Sequence, residues 1–271
     1  MPIIDWSSEQ GTPAWYKARA GIPTASRFAD IMTPKQRKPS EKRKKYACQL
    51  IAQRLMNWQP DSLEHIEHIA NGKANEPIAV AKMEMVFDVQ TKPVGFIRTN
   101  DGRFGASPDR VSEVAKGIDR VIEVKCPTVP VHMGRLLFGD DDDYICQRQG
   151  QLWVAEADKA IFFSYNPMMP DYMVEDGRDE AFITDLKDCL ERFSDELELW
   201  TEKVKRCGEF LAYPEVVPPI DAARGKALRR DLPVLGVDRV ERKPFLFRDD
   251  PVDSEEELQR LLDIEHYKWG G

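Results

Sequence analysis

Two carboxylates and an amine stand out in this chain for their spacing. Asp109 follows a Ser-Pro turn and directly precedes the alternating run Val111-Ser112-Glu113-Val114, while Glu123 and Lys125 lie in the run Val121-Ile122-Glu123-Val124-Lys125. With a strand period of two, Val121, Glu123 and Lys125 share one face, and Ile122 and Val124 share the other. A turn over residues 115–119 pairs the two runs antiparallel, so that Asp109 and Glu123 converge at the hairpin's end with Lys125 beside them. Clustered carboxylates repel one another and lose hydration, which is tolerable where a divalent cation binds both. The other reading of Glu123 and Lys125 is an ordinary same-face ion pair on a solvated strand.

The surrounding strings carry a resemblance. Pro108-Asp109 followed by Glu123-Val124-Lys125 resembles the PD-(D/E)XK nuclease signature. GASPD at 105–109 and IEVKCPT at 122–128 are similar to the phage-type alkaline exonucleases, the lambda-exonuclease/YqaJ recombinase family. Trp15, then Arg19 and Gly21, then Thr24-Ala25-Ser26 resemble the family's N-terminal pattern. GKANEP at 72–77 and CQRQGQLWV at 146–154 resemble two further elements of it.

The resemblance covers residues 9–205. It implies an α/β protein with a restriction-endonuclease-like core, a mixed β-sheet flanked by helices, in residues 1–207, leaving residues 208–271 as a C-terminal extension. It implies that Asp109, Glu123, the carbonyl of Val124 and Glu76 hold two Mg2+ ions, with Mn2+ able to substitute. Lys125 and Gln147 would then lie beside the scissile phosphate, and Arg19 and Ser26 in a pocket for a 5′-terminal phosphate. From the residues alone, Glu76 also reads as a first-turn glutamate, Arg19 as a helix-surface arginine, Ser26 as a simple N-cap and Gln147 as a polar helix residue. The chain departs from the family pattern at Arg110, where glycine is usual; Arg110 is expected to point to DNA or to alter the strand entrance. The implied activity is a metal-dependent 5′-to-3′ exonuclease that degrades one strand of linear double-stranded DNA and leaves 3′ overhangs for recombination. A structure-specific DNA endonuclease on the same core and a non-catalytic DNA-end-binding protein are the alternatives. Implied partners are DNA ends, a single-strand annealing protein and further copies of the chain in a ring-shaped trimer.

Positioning these residues falls to a chain that alternates helices and strands. Thr12-Pro13 starts a helix carrying Trp15, Tyr16 and Arg19 that Gly21 ends, and Thr24 or Ser26 starts a second with Phe28, Ile31 and Met32. Pro39-Ser40 starts a third, with Tyr46, Leu50, Ile51, Leu55 and Trp58 at helical spacing. The helix within residues 61–89 is loosened at Asn71-Gly72 and restarted or kinked at Glu76-Pro77. Strands are expected near 94–98, 103–108, 111–114, 121–125, 160–165 and 172–175. Helices are expected over 129–137, which carries His132, and over 144–155. A long amphipathic helix at 180–205, with Phe182, Leu186, Leu190, Phe193 and Leu197 on its stripe, is expected to cover the sheet or meet another subunit.

Composition sets the outer bounds. The chain has 271 residues, 42% hydrophobic and 32% charged, which is the balance of a soluble globular protein. No apolar stretch is long enough to cross a bilayer, and residues 1–11 lack a basic region followed by an apolar core, so a cytoplasmic location, in a bacterium or a phage-infected host, is expected. Five scattered cysteines without CxxC spacing suit a reducing compartment and argue against structural zinc. Cys126 reads as a small core residue. The net charge of −8 neither supports nor excludes DNA, because a local basic track can bind phosphate on an acidic protein. Residues 35–45, dense in Lys and Arg, read either as a solvated loop or as a mobile basic arm near the DNA. His65 and His68 lack a third ligand at a recognised spacing, and the acidic run at 140–143 reads as exposed surface.

Overall fold

Along the chain the elements are β1 (Ile3–Asp5), α1 (Pro13–Arg19), a 3-10 turn (Ala25–Asp30), β2 (Met32–Thr33), β3 (Lys38–Pro39), α2 (Arg43–Met56), α3 (Glu67–Phe87), β4 (Lys92–Pro93), β5 (Phe96–Arg98), β6 (Gly105–Ala106), β7 (Arg110–Val114), β8 (Gly117–Lys125), α4 (Val129–Phe138), α5 (Asp143–Ala155), β9 (Lys159–Ser164), β10 (Tyr172–Gly177) and α6 (Glu180–Lys205). This computed structural model describes residues 1–58, 67–115, 117–139 and 143–210, and the side chains of all these except 67–73 and 143. Met1–Pro214 form one compact unit. The extension expected after residue 207 lies outside the described residues beyond residue 210, as do His65 and the acidic residues 140–142.

A five-stranded sheet in the order β10-β9-β8-β7-β4 forms the centre. The β7–β8 pair is antiparallel, with Arg110 opposite Ile122 and Val111 opposite Val121, and a bulge interrupts it at Ser112/Glu113. The β8–β9 pair is parallel, setting Glu123 beside Phe162 and Lys125 beside Ser164. The sheet is thus mixed and carries helices on both faces. On one face Val121 and Ala160 pack with Leu152, Phe182, Leu186 and Leu190 of α5 and α6. On the other, Ile122, Val124, Ile161 and Phe163 pack on Ala79 and Met83 of α3. Burial on both sides explains why β8 and β9 read as nearly continuous apolar runs around their few charges.

Local chemistry sets the ends of the helices. The Thr12 hydroxyl accepts from the Trp15 N–H at 3.4 Å and Pro13 occupies the first turn of α1. Asp179 caps α6 by accepting from the Phe182 N–H at 2.9 Å, and Asn57 closes α2 in the left-handed region. The approach of α5 to the 3-10 turn requires Gly150, since a Cβ there would meet the Phe28 ring at 2.5 Å.

Four expectations change. The second N-terminal helix is only the 3-10 turn, and Met32 belongs to β2. Pro39 does not start α2 but pairs with Met32 in the β2–β3 hairpin, and the helix opens at Arg43. The helix α3 runs unbroken through Asn71-Gly72 and Pro77; Pro77 is exposed, so the carbonyl it deprives of a donor can be hydrated. The basic run is no free arm. Arg43 forms a forked pair with Glu196 at 2.9 and 3.3 Å, and Arg37 reaches Asp185 at 3.1 Å, so α6 neutralises part of it.

Candidate active site

The hairpin register carries Asp109, one residue before β7, alongside Glu123. The Val124 N–H donates to Asp109 Oδ2 at 2.8 Å, fixing the carboxylate against β8. Lys125 Nζ donates to Glu123 Oε1, and Gln151 Nε2 of α5 donates to Glu123 Oε2 at 2.8 Å. Glu123 is 4% exposed. Burial, then the charges of Glu123 and Glu76, push the Asp109 carboxyl up to about 7 against the pull of Lys125 and the Val124 N–H. Burial works against the Lys125 ammonium, but the Glu123 and Asp109 carboxylates outweigh it and hold its pKa above the usual range. Burial first, and then Glu76 and Asp109, push the Cys126 thiol up to about 11, which leaves it a protonated small residue and no nucleophile.

Beside this cluster an open cavity of about 760 Å³ is lined by Gln10, Trp15, Tyr16, Glu76, Glu84, Asp109 and Arg110 among others. Glu76 on α3 therefore faces the same space as Asp109. Arg110 begins β7 in ordinary extended backbone, so its position needs no glycine. Lying across from Ile122, it belongs to the α3 side of the sheet: its Nη2 donates to the Thr91 carbonyl at 2.7 Å, and its Nε lies 3.8 Å from Glu84. Arg110 thus lines the cavity while bracing β7 against the end of α3.

The donors suit a hard divalent cation. Glu123 is buried and Asp109 half-buried, both offer only oxygen and repel one another, and the Val124 peptide and Glu76 are adjacent. Among the described residues no three His, Cys, Asp or Glu side chains could hold an ion unaided. That is the situation of Mg2+, which takes one or two carboxylates and fills its remaining positions with water and substrate phosphate. The residues fit.

Arg19 lies apart from this cluster. Its guanidinium stacks over Trp15 at 4.1 Å and donates to the Thr24 hydroxyl at 3.3 Å, which lies 3.4 Å from the Ser26 hydroxyl. Among the described residues no carboxylate pairs with it, and burial lowers its pKa. Ser26 is exposed on a six-residue 3-10 turn, so it contributes a hydroxyl and not the field of a long helix.

Two contacts were invisible to sequence reasoning. Gln147 lies half-buried one turn before Gln151, but it is Gln151 that meets Glu123. Gln10 ties the Pro108-Asp109 corner down, its Nε2 donating to the carbonyls of Pro108 at 2.8 Å and Val94 at 2.9 Å. The four-residue spacing of Gln147 and Gln151 hinted at a shared helix face; nothing local marked Gln10. His132, expected only on a helix, is fully buried, with Nδ1 2.9 Å from the Ser164 hydroxyl and Nε2 2.8 Å from the Pro170 carbonyl.

Residues 14–158 match the YqaJ-like viral recombinase domain. The crystal structure of an alkaline exonuclease, LHK-Exo, from Laribacter hongkongensis is similar at a TM-score of 0.64 and 30% identity, covering 72% of this chain and 97% of that one. The complex of LHK-Exo with dAMP gives 0.64 and 31% over the same shares. A phage-related exonuclease from Haemophilus somnus 129PT, at 14% identity, shares the fold with a TM-score of 0.54 over 68% of this chain and 96% of its own. A search of the curated proteins gave no match. The domain match spans more than half of the chain and takes in Arg19, Glu76, Asp109, Glu123, Lys125 and Gln151. The chain therefore belongs to the YqaJ-like viral recombinase family, a phage-type exonuclease on a restriction-endonuclease-like fold.

Proposed function

We propose that this exonuclease is metal-dependent and degrades one strand of linear double-stranded DNA from its 5′ end, leaving 3′ single-stranded overhangs for recombination. The observation that carries the reading is the convergence of Asp109, Glu123 and Lys125, with Asp109 also lining the cavity that Glu76 lines. Asp109, Glu123, the Val124 carbonyl and Glu76 would hold two Mg2+ ions, with Mn2+ as a substitute. Bound there, the ions acidify a water and stabilise the leaving oxygen of a phosphodiester.

The chain's own residues do the rest. Glu123 and Asp109 hold the reacting phosphate's surroundings in one geometry, and Lys125 Nζ orients the attacking water and offsets phosphate charge. By family resemblance Gln147 of α5 would also lie beside the phosphate. Attack of water on phosphorus breaks the bond to O3′, so a mononucleotide with a 3′ hydroxyl leaves and the shortened strand keeps a 5′ phosphate. LHK-Exo has been crystallised with dAMP, the form such a product takes. Each cut thus regenerates the group that Arg19 and Ser26 would grip, Arg19 through two parallel hydrogen bonds. The proposal extends, on family membership, to a ring-shaped trimer, a single-strand annealing partner and action in the cytoplasm.

The test compares linear duplex with covalently closed plasmid in Mg2+. Loss of the linear DNA with early release of a 5′ label, and an intact plasmid, is the expected result. A cut plasmid would favour an endonuclease, and no hydrolysis of either would favour an end-binding protein.

A further inference from the structure

Both oxygens of Glu123 are taken, Oε1 by Lys125 and Oε2 by Gln151. An ionised carboxylate only accepts, so the Gln151 amide must turn Nε2 toward it; the flipped amide would set two acceptors against each other. Gln151 Oε1 therefore faces away from Glu123, and it is buried without a hydrogen-bond partner among the described residues. Native interiors leave few polar atoms in that condition, because each forfeits its hydration. Gln151 is 1% exposed, on a helix held close to the 3-10 turn at Gly150. A methionine would fill similar space with no orphaned oxygen. Packing alone thus gives no reason for an amide here, whereas Glu123 does. Lys125 offers Glu123 a point charge on a flexible stem; the planar amide of Gln151 adds a direction.

We propose that Gln151 is a positioning residue: its Nε2 fixes the plane of Glu123 for a divalent cation. The inference rests on the metal-dependent reading of the site. It differs from the role that family resemblance gives Gln147, one turn away.

The experiment is calorimetric titration of wild type and Gln151→Met with MgCl2, without DNA, followed by digestion of linear duplex at rising Mg2+. Q151M is expected to keep its far-UV circular dichroism and to bind Mg2+ about 10- to 100-fold more weakly, the usual consequence of removing a group that orients a metal ligand. Its kcat should recover in part as Mg2+ is raised, with KM for DNA unchanged. Wild-type Mg2+ affinity in Q151M would overturn the inference. Should Q151M not fold, Gln151→Asn keeps the amide but withdraws it by one methylene, and the same expectation and the same overturning result apply. Absence of Mg2+ binding by the wild type would instead remove the metal-dependent reading, and this inference with it.

Discussion

Lys125 and Arg19 are both half-buried cations, and the protein treats them in opposite ways. Lys125 is bonded to Glu123 and lies in the field of Asp109, so its charge is answered within the fold. Arg19 has the face of Trp15 and one hydroxyl, and no carboxylate among the described residues. At the first place carboxylates outnumber cations, counting Asp109, Glu123 and Glu76 against Lys125. At the second no carboxylate among the described residues answers the cation, and Arg27 adds to the positive field. One region is therefore short of positive charge and the other of negative, the imbalance expected of a metal site and a phosphate site respectively. The overall charge of −8 conceals both, because it averages over the whole surface.

Removing the surplus carboxylates should break the comparison most severely. Asp109→Ala and Glu123→Ala are expected to slow hydrolysis by at least about 100-fold while the fold survives. Retention of more than about a tenth of the wild-type rate in Mg2+ by either variant would contradict the metal assignment. Lys125→Ala should lose turnover on the order of 100-fold yet still bind Mg2+ and DNA, because its charge is directed to the reacting phosphate. Calorimetry showing Mg2+ binding lost in that variant would assign Lys125 to building the site instead.

The unanswered cation comes next. Arg19→Ala should slow digestion of 5′-phosphorylated duplex by about 10- to 100-fold, the equivalent of one charged hydrogen-bonded pair. On 5′-hydroxyl ends it should change the rate much less. Steady-state rates on both ends, for wild type and variant, form a double-mutant cycle between side chain and phosphate. Equal slowing on the two substrates would show that Arg19 serves general binding or folding.

The charge surplus should also be visible in stability without metal. The Asp109 carboxyl is pushed up from 3.8 to about 7, so between those values the folded state binds more protons than the unfolded. The contribution of Asp109 to stability then falls as pH rises from about 4 to about 7, by at most about 4 kcal/mol, since each unit is worth about 1.4 kcal/mol. Thermal melts in a chelator should show this slope in wild type and a flatter one in Asp109→Asn. Identical slopes would mean that Asp109 is not the group carrying the surplus.

How much of this was legible follows from what each feature depends on. The shared face of Glu123 and Lys125 needs only the strand's period, and the pairing with Asp109 needs only the hairpin. The helix α6 could be read to its ends because a long apolar stripe and the Asp179 cap agree. Gln151 was obscured because only the rotation of α5 against the sheet decides which of two equivalent glutamines meets Glu123. The basic run misled for a related reason: Glu196 and Asp185, which answer Arg43 and Arg37, are remote in sequence. The 3-10 turn was mistaken for a helix because so short a segment shows one apolar side under either geometry.

The smallest expected effect belongs to a third cation, Arg110, and it sharpens the contrast between the other two. Arg110 lines the cavity with Asp109, so position alone would make it a DNA ligand. Its bonding argues otherwise, since its Nε and Nη2 are engaged by Thr91 and Glu84 lies nearby. An arginine so occupied acts as a brace between β7 and the end of α3, with little charge left to offer a phosphate. Arg110→Ala should accordingly cost about 1–3 kcal/mol of stability, from hydrogen bonds lost and partners left unpaired. Digestion should slow by less than about tenfold, with no preference between 5′-phosphate and 5′-hydroxyl ends, where a true phosphate contact would cost more. Thermal melts and the two-substrate rates decide it together. A variant that melts like wild type but loses activity as Arg19→Ala does would move Arg110 from the frame of the site to its substrate surface.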